Sequence, residues 1–166
     1  MAQHHQSKGV ILNTQIEQIS REIAFEIYAI RPSDEWTKAV FLFQNITCMS
    51  EAMCTFFLGD KVKKSSMPKP IVANKFTELR TKMAEIHQNK QTWYTATCTV
   101  TPDGKFKFDF DYDHLPAFEI IPSASKWLDE FKTYPRPELQ EKIQDWIDGK
   151  VKSGEIVQRL IKLQQD

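Results

Sequence analysis

The chain carries no net charge, because 22 Lys and Arg balance 22 Asp and Glu. No overall field draws it toward nucleic acid or an anionic membrane, so electrostatic recognition must come from local patches. Its cysteines, Cys48, Cys54 and Cys98, are three in number and form no CxxC pair. That argues against a disulfide framework and a structural zinc site, and fits a reducing compartment. All three fall in expected strands, where a free Cys packs as a small buried hydrophobe. Five glycines leave little material for a phosphate-cradling loop, and neither GxSxG nor HExxH occurs. No apolar run approaches the roughly 20 residues a membrane-spanning helix needs. The polar start MAQHHQSKG lacks the apolar stretch of a secretory signal. Together these absences set the expectation of a cytoplasmic protein that is not an enzyme. It should need no cofactor or metal, bind no nucleic acid directly and make no membrane contact.

What is present is the composition of a soluble globular domain, 166 residues long with 41% hydrophobic and 27% charged residues. That is enough chain to bury a core. The most informative stretch is 91–115. Phe106, Phe108, Phe110 and Tyr112 alternate with Lys105, Lys107, Asp109, Asp111 and Asp113, which predicts a strand with one aromatic and one charged face. Upstream, Tyr94, Ala96, Cys98 and Val100 alternate with Trp93, Thr95, Thr97 and Thr99. Between the two runs, Thr101-Pro102-Asp103-Gly104 fits a type I turn closed by a bulged glycine.

Residues 1–13 are expected to be a flexible lead, His4 and His5 included. Thr14 and Glu17 match a capping box, and Ile16, Ile19, Ile23 and Ile27 give residues 14–30 an apolar helical stripe. Residues 36–46 and 49–58 read as a second hairpin. A basic loop follows at 61–69. A helix is then expected with Val72, Phe76, Leu79, Met83 and Ile86 on one face. After the aromatic hairpin, 126–131 should form a short helix. A further helix from Pro137 should bury Leu139, Ile143, Trp146 and Ile147 and end at Gly149, and a last one should cover about 154–163. The expected fold is α+β: an antiparallel sheet of hairpins, helices packed on one face, and a C-terminal helical extension over 136–166.

Charge is unevenly distributed. Residues 61–90 hold eight Lys or Arg against two Glu, about +6, whereas 103–148 hold eleven acids against six bases, about −5. Asp109, Asp111 and Asp113 have the D-x-D-x-D spacing of a calcium loop, but His114 stands where Gly is required and Ile120 where a bidentate Glu belongs. A catalytic carboxylate would need an apolar pocket to raise its pKa, which an exposed strand face does not provide. His87 and His114 are isolated from any nucleophile in sequence. The basic stretch lacks the interleaved aromatics of a single-strand binder and reads as a solvated loop. A binding surface remains: Asp109, Asp111 and Asp113, joined by Glu119, Asp129 and Glu130, would steer a basic protein partner. Trp93 and Tyr94 are candidate aromatic anchors, with burial in the core as the competing role for Trp93.

The order of capped helix, aromatic hairpin and middle helix, followed by Trp93 and then Asp103-Gly104-Lys105-Phe106-Lys107-Phe108-Asp109-Phe110-Asp111-Tyr112-Asp113-His114-Leu115, resembles the YezG-like antitoxin family of bacterial immunity proteins. The likeness runs over about 16–135, and its specific part is the hairpin. It implies a small cytoplasmic α+β protein that binds and neutralises a cognate toxin, commonly a nuclease domain of a secreted or contact-delivered protein. Carried over by residue, the motif assigns Asp109, Asp111, Tyr112 and Asp113 to it. With Glu119 and Trp93 these make the expected toxin-binding set. The chain would act as a monomer or weak dimer. The alternative is a small-ligand-binding or regulatory α+β module.

Overall fold

The computed structural model describes residues 2–116, 118–120 and 122–139. In chain order the elements are α1 (Ala2–Ala29), β1 (Lys38–Ile46), β2 (Met49–Leu58), β3 (Lys61–Ser65), α2 (Ile71–Ile86), β4 (Thr95–Val100), β5 (Phe106–Asp111) and α3 (Ala124–Thr133), with a 3₁₀ turn at Pro137–Leu139. The five strands form one antiparallel sheet in the order β3-β2-β1-β4-β5. The fold is α+β, with α1 and α2 side by side on one face of the sheet.

Register explains the core. Phe108, Cys98, Phe41 and Cys54 stand opposite one another across four strands, and all point at the helices. Ile19, Ile23 and Ile27 from α1 and Val72, Phe76 and Leu79 from α2 meet them. Phe76 is fully buried and stacks on Phe41 at 5.0 Å and Phe43 at 4.8 Å between ring centres. Truncating a ring so placed costs about 3–5 kcal/mol, through lost transfer energy and the cavity left behind. A smaller aromatic group, Phe118, Trp127 and Phe131, ties α3 to the segment before it.

Five expectations are corrected. The first helix begins at Ala2 rather than at residue 14, so the expected flexible lead is helical and Leu12 is buried. Thr14 is not a cap: its hydroxyl donates to the Val10 carbonyl at 3.0 Å, the back-bond a mid-helix Thr makes. The basic stretch after Gly59 is not a loop. Its first five residues are β3, paired with β2 through a register shift at Phe56/Phe57. Cys48 lies in the β1–β2 turn and is exposed, while Cys54 and Cys98 are buried. Finally, β5 ends at Asp111, so Asp113 is not on the strand. The stripe residues Ile143, Trp146 and Ile147, the stop at Gly149 and the helix at 154–163 lie outside the described residues.

Candidate binding face

The face of the sheet opposite α1 and α2 is built from three rows. Asp109, Thr97, Leu42 and Met53 form the central one; Lys107, Thr99, Val40 and Thr55 lie on one side; Asp111, Thr95, Gln44 and Glu51 lie on the other. Burial alternates along β1, with Phe41 and Phe43 fully enclosed and Val40, Leu42 and Gln44 only half-buried. A central strand that is apolar on both faces is expected to be covered on both. On this second face Met53 is 57% exposed.

The segment after β5 reaches back to this face. The Glu51 carboxylate accepts the backbone N–H groups of Glu119 at 2.9 Å and Ile120 at 3.1 Å. This fixes Ile120, 73% exposed, beside Leu42 and Met53. The result is an open groove of about 470 Å³ with an apolar floor and Glu51 and Glu119 at its rim.

The acidic residues expected to act together are separated by their partners. Asp109 lies 3.3 Å from Lys107 on the same strand face. Asp111 is tied into the chain reversal, accepting the N–H groups of Asp113 at 2.9 Å and His114 at 3.1 Å and contacting the His114 ring at 2.9 Å. Burial opposes its charged form, but those two N–H donors and His114 outweigh it and hold the carboxyl below its ordinary value. Asp113 and Glu119 are exposed. Tyr112 is half-buried, its ring stacked 4.9 Å from His87 and its carbonyl accepting from Arg136 at 2.7 Å. Trp93 is wholly buried against Phe43 and Phe110, so it anchors the core and not a partner. Glu130 is also enclosed and belongs to an internal ion pair with Arg80. Leu42, Glu51, Met53 and Ile120 were not singled out by sequence, although the unbroken apolar run of β1 carried the signal.

Among the described residues no three His, Cys, Asp or Glu side chains converge to hold a metal ion, and no helix is long and apolar enough to cross a membrane. The basic residues of β3 are partly engaged: Lys63 pairs with Asp34 at 2.9 Å and donates to the Glu35 carbonyl. No protein-family model matches the chain, and no curated protein matches it.

Proposed function

We propose that the chain is an immunity protein, which neutralises a cognate toxin domain by binding it through the open sheet face. One observation carries the reading: an apolar groove of Leu42, Met53 and Ile120 lies uncovered among the described residues, rimmed by Glu51 and Glu119. An apolar centre with a charged rim is the anatomy of a protein-binding patch. The likeness of the aromatic hairpin to YezG-like antitoxins supplies the kind of partner. A nuclease must present basic residues to the phosphate backbone, and an acidic rim complements such a surface and hastens the encounter. Glu119 and Asp113 carry that complementarity better than Asp109 and Asp111, whose charges are already engaged. The test is co-expression with the C-terminal domain encoded by the neighbouring gene. The domain alone should be toxic, and the chain should abolish toxicity and co-purify with it. A harmless domain, or toxicity undiminished by the chain, would refute the reading.

A further inference from the structure

The two edges of the sheet are built differently. The β3 edge carries Lys61, Lys63 and Lys64 and a register shift, devices that keep one sheet from pairing with another. The β5 edge has no register shift, its Lys105 and Lys107 are matched in number by Asp109 and Asp111 on the same strand face, and among the described residues no further strand pairs with it. Its turn fixes which backbone groups face outward: Thr101 N–H donates to the Lys105 carbonyl at 3.0 Å, so residues 105, 107, 109 and 111 bond to β4. Residues 106, 108 and 110 then direct N–H and C=O away from the sheet. Past them the edge is closed where Arg136 donates to the Tyr112 carbonyl. On the helix side of this edge Phe106 is 38% exposed, and Phe108 and Phe110 are only partly covered.

We propose that β5 pairs antiparallel with β5 of a second copy of this chain, on a two-fold axis through Phe108, joining two sheets into one of ten strands. The sequence Lys105 to Asp111 is self-complementary in that register alone. Phe108 faces Phe108, and Phe106 faces Phe110, as hydrogen-bonded pairs that use the outward N–H and C=O groups of both strands. Lys107 faces Asp109 and Lys105 faces Asp111 as the closer, non-hydrogen-bonded pairs, where opposite charges attract most. Sliding by two residues sets Lys107 against Lys107 or Asp109 against Asp109. Sliding by one sends the phenylalanines to the solvent face. The same contact covers the half-exposed phenylalanines on the helix side. Self-pairing uses the strand edge, whereas the proposed toxin contact uses the face over β1 and β2, so the two stand or fall separately.

The experiment is sedimentation velocity over a concentration series, using the full chain. The native protein should shift from the 19.4 kDa monomer toward twice that mass as concentration rises. Lys107→Asp and Asp109→Lys alter exposed side chains, and each should be monomeric, because each creates like-charge pairs across the axis. Mixing these two variants should restore a dimer. The aspartate introduced in one chain then meets the lysine introduced in the other, and the unaltered Asp109 of the first meets the unaltered Lys107 of the second. The double variant, with the two charges exchanged, should dimerise with itself. Unchanged circular dichroism will establish that the single variants fold. A native chain that stays monomeric, single variants that still dimerise, or a mixture that remains monomeric would each overturn the proposal.

Discussion

Arg80 on α2 and Glu130 on α3 form a buried ion pair at the end of the sheet. The guanidinium reaches both carboxylate oxygens and donates through Nε to the Trp93 carbonyl at 2.7 Å. The carboxylate also accepts the N–H and hydroxyl of Thr47 in the β1–β2 turn, each at 2.6 Å. Four parts of the chain therefore meet at one pair of charges. Either Arg80→Ala or Glu130→Ala should destabilise the protein by about 3–5 kcal/mol, because each leaves the other charge buried and unpaired. The double replacement Arg80→Met/Glu130→Leu should recover part of that loss. Urea unfolding of the three variants checks this, and a double variant no better than either single alanine would contradict it.

Thiol chemistry should separate the three cysteines. Burial pushes Cys54 and Cys98 up to about 12, and the thiolate is the reactive form. Cys48 is exposed, although desolvation and the nearby Asp129 raise it as well. A thiol reagent at mildly alkaline pH should therefore modify one cysteine in the native protein and all three in denaturing urea. Rapid native labelling of two or more would contradict the burial.

Asp111 links stability to acidity. Its carboxyl is held below the ordinary value in the folded chain, so its stabilising contribution is complete above the unfolded value of about 3.9 and is lost as pH falls through the folded one. Asp111→Ala should cost about 1–2 kcal/mol at neutral pH through the lost N–H acceptor, and the gap to the native protein should narrow below about pH 4. Thermal melts across this range, at dilutions that keep the chain monomeric, provide the measurement. A gap independent of pH would show that the carboxylate charge does not contribute.

Gly104 closes the β4–β5 turn with φ +81°, donating its N–H to the Thr101 carbonyl at 2.9 Å. Nothing lies within 4 Å of an added Cβ, so Gly104→Ala introduces backbone strain and no clash. A loss of about 1–2 kcal/mol is expected, read from the urea midpoint. An unchanged midpoint would mean that the turn relaxes to another form.

The fold was legible wherever apolar spacing matched the element. The isoleucines of α1, the Phe76 face of α2 and the alternation of β4 and β5 each follow from burial on one side. β3 is not legible in the sequence because a strand guarded by three lysines has no apolar alternation. The pair Gly59-Asp60, with Gly59 at φ +61°, was nonetheless a two-residue hairpin signal. The helix start is not legible either, because Thr14 and Glu17 match a cap by identity, while the choice between cap and back-bond depends on the backbone before them. Among the expected site residues, charge alone picks out Asp109 and Asp111, but alternation says nothing about what engages a charge. Lys107 and His114 do so here. Trp93 was open between core and anchor, and only the path of the chain into β4 decides for the core.

The most direct test of the functional account is calorimetric titration of the purified C-terminal domain encoded by the neighbouring gene with the native chain and with Met53→Asp/Glu119→Lys. The account predicts one toxin domain bound per chain and an affinity at least about 100-fold weaker for the variant, the combined loss of an apolar anchor and a rim charge. Absence of binding by the native chain would contradict the immunity reading. Equal affinity for both proteins would remove the contact from the open sheet face.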